Sequence, residues 1–385
     1  MKSSLVFLHI SLIKGIGPQA VKKLQEHKSN DSKWSDLYLY TVSDFISLFY
    51  LSKSVAELLC SGLKDTKLLD QELDLIKKYS INWTTIISDD YPVLLKSIYA
   101  PPTILYWKGQ HLFSEENLIA CVGSRKANFY GQKVVDSLVS GLVQNSWIIV
   151  SGGALGIDSM AHNQTVRSGG QTIVVLGSGL LRPYPASNKK LFENVLASGG
   201  ALVSSFPLTM QATPGNFPAR NRIIAGLSKG CLVIQAAEKS GARITAQFAL
   251  EQGREVFAVP GSIYDDISMG CHRLLQEGAR LVSSVDDILS EFGQKVCSVK
   301  RERKTVISSF KQVNISVRPT RPTVKTKSSC PKDSILSVAV KGISFDELAD
   351  IVTIESDKLS DLLFDLQMDG KIEQDFSGLW RSLSK

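Results

Sequence analysis

Between residues 118 and 259 the chain alternates short, nearly continuous apolar runs with longer amphipathic stretches. The runs 118–122, 147–151, 172–176, 201–205, 231–236 and 255–259 are rich in Val, Ile and Ala and short enough to be strands buried on both faces. Between them, the helical periodicity of 129–144, 158–168, 187–198, 217–227 and 242–252 predicts crossover helices. This alternation predicts an α/β fold, a Rossmann-like doubly wound and mainly parallel sheet. In such a sheet ligands bind outside the carboxyl ends of the strands.

The flanks have a different pattern. Residues 1–80 read as short helices, including GIGPQAVKKLQEH at 15–27 and stretches at 42–51 and 68–79. The opening Met1–Ile13 run mimics a secretory signal, but it contains His9 and leads straight into a Gly-Ile-Gly turn, so a buried helix is expected. Gly15-Ile16-Gly17-Pro18 before a lysine-rich helix has two readings. It is either a helix-hairpin-helix turn whose amides approach phosphate, or a bend that packs Val21 and Leu24 against the first helix. Residues 81–292 form the predicted core, entered through a proline-rich extended segment. Residues 293–332 read as a flexible basic linker, and residues 333–385 as three short helices followed by a strand, a Ser-Gly turn and a second strand.

Charge changes the picture of these flanks. The chain has 385 residues and a net charge of +7. The linker contributes +10 from 11 Lys/Arg against Glu302, whereas residues 333–385 carry −6. No apolar stretch approaches the ~18 residues needed to span a bilayer. Six cysteines with no C-x-x-C pair, two of them (Cys121 and Cys231) inside apparent core strands, fit reduced thiols and a cytoplasmic location. Cys271-His272 is a poor metal pair, because adjacent residues face different ways, and no metal or cofactor is expected.

The candidate chemistry lies at the ends of the predicted strands. FPARNRIIAGLS at 217–228 places Arg220, Asn221 and Arg222 near the first turn of a helix, where cations and free N–H groups suit phosphate oxygens. Surface salt bridges are the plain alternative for the two arginines. Glycine turns at CVGSRK (121–126), SGGALGID (151–158) and LGSGL (176–180) follow three strands. Gly123, Ser124, Gly152, Gly177 and Gly179 would admit phosphate close to the backbone, with Arg125 and Lys126 as further cations. Phe217 is either a base-stacking platform or a core residue. Asp158 is expected to cap the helix that begins at GIDSMAH. A nucleotide-hydrolysing enzyme is the alternative function, and it would need a positioned carboxylate; the Ser159/His162 pair has no evident third partner. No Walker lysine motif or full GxGxxG occurs.

These motifs together carry a resemblance. VGSR (122–125), SGGALGIDSMAH (151–162), TIVVLGSG (172–179), Tyr184-Pro185, FPARNRIIAGLS, SGARITAQFALEQGREVFAVPG (240–261) and GCHRLLQEGARLV (270–282) closely resemble the DNA-processing protein A family (DprA, or Smf) of bacteria. The resemblance implies a small helical N-terminal domain of the SAM or helix-hairpin-helix kind, a Rossmann-like core binding single-stranded DNA, and a C-terminal winged helix. It also implies a homodimer paired through the core, which binds and protects incoming single strands during natural transformation and helps load the recombinase RecA onto them. Three positions depart from the family pattern: Leu155 replaces an arginine, and Ser205 and Gln235 replace acids. Their joint change suggests one internal ion pair replaced by neutral groups. The acidic third helix of residues 333–385 argues against duplex binding there, with Leu359, Leu362, Leu363 and Leu366 serving its core.

Overall fold

The computed structural model describes residues 3–29, 33–113 and 116–294, and in the C-terminal part 331–339, 343, 348, 351–352, 356–369, 371–374 and 380–383. Most of the predicted basic linker, 295–330, lies outside the described residues, as do Glu355 and the predicted Ser-Gly turn. The chain divides into two units, Met1–Arg301 and Glu302–Lys385. No helix among the described residues is long and apolar enough to cross a membrane.

The first unit begins with five helices: α1 (Ser3–Leu12), α2 (Pro18–His27), α3 (Val42–Phe49), α4 (Lys53–Gly62) and α5 (Thr66–Lys78). The apolar start is indeed a buried helix, with Val6, Phe7, Leu8 and Ile10 fully enclosed. Two strands follow, β1 (Asn82–Thr85) and β2 (Ile104–Gly109), separated by the short helix α6 (Val93–Lys96). Then comes the predicted alternation: β3 (Leu118–Val122), α7 (Phe129–Gln144), β4 (Ile148–Ser151), α8 (Ile157–Arg167), β5 (Thr172–Val175), α9 (Lys189–Ala197), β6 (Ala201–Ser204), α10 (Asn216–Leu227), β7 (Gly230–Val233), α11 (Gly241–Glu251) and β8 (Glu255–Ala258). The unit closes with α12 (Met269–Gln276), β9 (Arg280–Leu281) and α13 (Val285–Glu291).

The strands form one sheet in the order β1-β2-β6-β5-β4-β3-β7-β8-β9. All pairs from β6 through β9 are parallel, and β1 and β2 add an antiparallel edge. The chain builds outward from β3 to β6, then returns to lay β7 on the other side of β3. The order reverses at β3 and β7, whose carboxyl ends must part as their helices cross to opposite faces. A crevice opens there for this topological reason.

Both faces of the sheet are covered, which is why its strands read as continuous apolar runs. On one side, Ile119, Cys121, Ile149 and Leu232 pack with α7 residues Val135, Val139 and Leu142. At the antiparallel edge, Leu8 of α1 and Leu69 of α5 share a cluster with Ile104, Tyr106 and Val174. Burial pushes the Cys231 thiol up to about 12, so it stays protonated.

In the second unit, helices Pro331–Val338 and Ser356–Met368 accompany an antiparallel pair, Ile372–Gln374 with Trp380–Ser382. Leu359, Leu363 and Leu366 are buried with Ile335, Ile343 and Ile372, and Leu362 packs against them. The predicted internal use of these leucines holds.

Candidate functional site

The loop after β3 is set by three hydrogen bonds donated by main-chain N–H groups. Ser124 N–H donates to the Gln235 carbonyl at 2.6 Å, Ile157 N–H donates to the Ser124 carbonyl at 3.1 Å, and Lys126 N–H donates to Ser124 Oγ at 3.1 Å. With its backbone tied down on both sides, the loop leaves Arg125 and Lys126 exposed above the strand ends.

Arg220 differs. It is only 4% exposed, and its Nη1 donates to the Val175 carbonyl at 3.0 Å beneath the loops. Asp158, also buried, lies near enough for each charge to stabilise the other, although the two form no direct ion pair. Burial raises the Asp158 carboxyl above its usual range. Arg220 and the hydrogen bond from the Ala154 N–H oppose that shift. Asp158 therefore does not cap α8. Gly156 holds the cap position with φ +78°, a backbone conformation suited to glycine, and Asp158 turns inward from the first turn.

Arg222 occupies another environment on the same helix. Two residues along an α-helix are about 200° apart, so Arg222 faces away from Arg220 and lies beside Tyr91, half-buried. It lines neither of the cavities described below. Asn221, between them, donates from Nδ2 to the Gly241 carbonyl at 3.3 Å and ties α10 to the start of α11.

Two adjoining cavities share Arg125, Ala154 and Arg220. The smaller lies over the ends of β4 and β5, lined also by Gly152, Leu155, Tyr184, Pro185 and Phe217. Phe217 is half-buried, its ring 5.9 Å from that of Tyr184, with the guanidinium groups of Arg125 and Arg220 at 5.6 and 5.9 Å from its centroid. It is thus a cavity-lining aromatic held between two cations, not a residue of the main core. The larger cavity, about 460 Å³, is the β3/β7 crevice, and Gly123, Ser124, Lys126, Asn221 and Asp158 line it. Lys239, Ser240, Gly241 and Thr245 at the start of α11 complete its wall. Those four had not been singled out in the sequence, because only the pairing of β7 beside β3 brings them to Arg125.

The glycines act differently from the expectation that they admit phosphate. A Cβ at Gly152 would fall on the Arg220 guanidinium, one at Gly123 on Ile157 and the Gln235 carbonyl, and one at Gly179 on the Pro207 and Leu208 carbonyls. At Gly177 it would press on the Phe217 ring at 3.0 Å. The space they leave is filled by the protein itself. Gly177 and Gly179 line neither cavity, and their role is to seat Phe217 and the 207–210 loop.

The suggestion of one lost ion pair among positions 155, 205 and 235 is corrected by the topology. Ser205 follows β6 and Gln235 follows β7, four strand spacings apart, or about 19 Å. Gln235 donates to Asn128 Oδ1 at 2.9 Å and accepts from Asn128 N–H at 3.3 Å, which steadies the start of α7. Leu155 stands half-exposed on the smaller cavity. The Ser159/His162 pair is likewise not a pair. Ser159 Oγ donates to the Gly156 carbonyl, and His162 Nδ1 meets Thr172 Oγ1 at 2.7 Å. Thr172 Oγ1 spends its proton on the Ile149 carbonyl, so His162 Nδ1 must carry the hydrogen. Burial, aided by Arg220, pushes His162 down to about 3 and keeps it neutral. Cys271 is buried, and His272 Nε2 meets the Gly261 carbonyl at 3.0 Å.

Residues 82–293, from β1 to just past α13, match the family model described as DNA recombination-mediator protein A. The DNA processing protein DprA of Bacillus subtilis is 42% identical over 228 residues, covering 59% of this chain and 76% of that protein. Protein Smf of a Synechocystis strain is 34% identical over 323 residues, 82% of this chain and 79% of its own length. Among solved structures, DNA processing protein A from Streptococcus pneumoniae superposes with a TM-score of 0.66 at 35% identity, covering 76% of this chain and 99% of that one. The protein of the same name from Helicobacter pylori, whose structure was described for its single-stranded DNA binding mode, gives a TM-score of 0.50 at 27% identity over 55% of this chain and 95% of that one. A sheet whose order reverses at β3 and β7, with the cation-bearing GSRK loop and Phe217 at its carboxyl edge, matched over the whole of that sheet, makes this chain a member of the DNA recombination-mediator protein A family.

Proposed function

We propose that this protein binds single-stranded DNA across the carboxyl edge of its sheet and delivers it to the recombinase RecA during the uptake and recombination of incoming DNA. The observation that carries this reading is the exposed Arg125 beside the half-buried Phe217 ring, at the mouth of a cavity floored by Arg220. A cation that tracks the backbone next to an aromatic face that stacks a base is the general arrangement of single-strand binders. The Helicobacter pylori relative, described for single-stranded DNA binding, supports it.

The cavity at Phe217 is narrow and walled by loops, so an unstacked base can enter it and a duplex cannot. Binding is expected to favour single strands over duplex with little sequence preference. Titrating a labelled single strand and a duplex of equal length at moderate salt tests this, and equal affinity would overturn it. Within the same proposal, the chain acts as a homodimer paired through the sheet-bearing core. Residues 1–80 act as a small SAM-like or helix-hairpin-helix domain, and residues 333–385 as a winged helix that does not bind duplex. The order of helices before an antiparallel pair in the second unit supports the last assignment. Sedimentation with and without oligonucleotide checks the dimer.

A further inference from the structure

The loop that carries Phe217 to the smaller cavity is anchored from outside that cavity. Between Ser205 and Ala219 only Leu208 is buried. Its side chain is fully enclosed in the cluster that Leu8 of α1 and Leu69 of α5 share with Tyr106 and Val174. Its N–H donates to Oε1 of Glu72, on α5, at 2.8 Å. Glu72 is only 5% exposed and pairs with no cation among the described residues. Burial raises its carboxyl above the usual range, and the Leu208 N–H opposes that shift. A buried carboxyl group costs stability where an apolar residue of similar size would fit, so helix packing alone does not account for Glu72. Its bond to the Leu208 amide does.

From Leu208 the hydrogen bonds run on to Phe217. The Leu181 N–H donates to the Leu208 carbonyl at 3.0 Å and the Gly179 N–H to the Met210 carbonyl at 2.9 Å, which lays the 207–210 turn against the loop after β5. Asn216 then donates from Nδ2 to the Gly177 carbonyl at 3.1 Å. It opens α10 directly before Phe217, whose ring lies over Gly177. Residues 209–215 bury almost nothing of their own, and a surface segment of that kind opens at little cost once its anchor is released.

We infer that Glu72 is a positioning residue for single-strand binding: through the Leu208 amide it fixes the β6–α10 loop and holds the Phe217 ring where it stacks a base. This rests on the single-strand reading, and it makes the N-terminal helices part of the binding apparatus although Glu72 touches no strand.

The test uses the full chain. Glu72→Leu keeps the apolar bulk of the side chain and removes the acceptor, whereas Glu72→Gln keeps an acceptor. Leu208→Ala loosens the anchor from the loop side, so the outcome does not depend on one variant folding. Phe45→Leu, buried on α3 in a different cluster, controls for lowered stability. Melting temperature, hydrogen exchange across residues 206–219, and affinity over a range of salt are measured, with fluorescent dT20 and an abasic strand of equal length as probes. Glu72→Leu and Leu208→Ala should speed exchange across 206–219 and weaken dT20 binding on the order of tenfold, the scale of one stacked base. The abasic strand should bind as before and the salt slope should stay unchanged, because no phosphate contact is lost. Glu72→Gln and Phe45→Leu should bind both strands like the unmodified chain. Full dT20 affinity in Glu72→Leu and Leu208→Ala, or an equal loss for both strands that Phe45→Leu shares, would show that Glu72 only supports the fold and would overturn the inference. Glu72→Gln binding as weakly as Glu72→Leu would overturn the assignment to this hydrogen bond. If the unmodified chain fails to bind dT20, the underlying reading falls and the positioning role with it.

Discussion

The carboxyl edge of the sheet and the C-terminal unit both have shapes associated with nucleic-acid binding, but their charges point in opposite directions. The edge gathers Arg125, Lys126 and Lys239, and its one lining acid is buried and engaged. Residues 333–385 carry a net −6, with Asp365 and Asp369 exposed on or beside the long helix. A helix offered to DNA with that charge would press carboxylates against phosphates. The contrast teaches that a fold suggests a partner and the surface decides it. The leucines of that helix are explained by its own core.

The largest expected effect lies in the buried layer beneath the edge. All five histidines of the chain fall in the first unit, and His162 is held neutral with its value near 3. Since folding depresses it from about 6.5, the stability it contributes is complete above that pH and is lost as pH falls toward 3. That amounts to about 4–5 kcal/mol at the acid limit. His162→Gln should flatten this portion of an acid-unfolding curve, and an unchanged pH dependence would show that the ring is accessible to protons when folded. Next in size is Arg220→Ala, which leaves Asp158 buried without its compensating cation and should cost about 3 kcal/mol in denaturant unfolding. Arg222→Ala, on the other side of α10, should leave both the salt slope and the affinity for single strands nearly unchanged. A loss of slope would return Arg222 to the site.

Arg125→Ala removes an exposed cation, so it should keep the melting temperature. It should lower single-strand affinity on the order of tenfold and the salt slope by about 0.7. Full affinity in a folded variant would remove Arg125 from the interface. Leu155→Arg tests the edge in the opposite sense. The side chain stands half-exposed on the smaller cavity, so an arginine there should add about one phosphate contact and raise the slope by a similar amount. No change would mean that the strand does not pass position 155.

The contrast between regions also explains what could be read in advance. The parallel strands β3 to β8 were legible because burial on both faces writes them as nearly unbroken apolar runs, whereas the exposed parallel strand β9 (Arg280–Leu281) carries no such run. β1, with the sequence NWTT, carries no such run, and its pairing with β2 depends on N-terminal helices that pack onto that edge. The GSRK loop and Phe217 were visible as motifs. The separation of Arg220 from Arg222 was available from helix geometry alone, but the burial of Arg220 was not, since it depends on Val175 of β5 and Asp158 of α8 arriving from elsewhere in the chain. Lys239 and Ser240 lie more than a hundred residues from Arg125 and join it only through the return of β7 to β3. The glycines were found for a reason the structure replaces, because their missing side chains make room for Arg220, Phe217 and Ile157.

The smallest expected effect bears most directly on the central claim. A chain ending after Gln294 loses both the basic linker and the acidic unit and keeps the whole carboxyl edge. Cations in a solvated linker are screened within about 8 Å at physiological ionic strength, so their contribution should be confined to low salt. Measured at physiological salt, the shortened chain should bind dT20 as tightly as the full chain; loss of binding would place the interface in the linker or the C-terminal unit and contradict the assignment to the sheet edge.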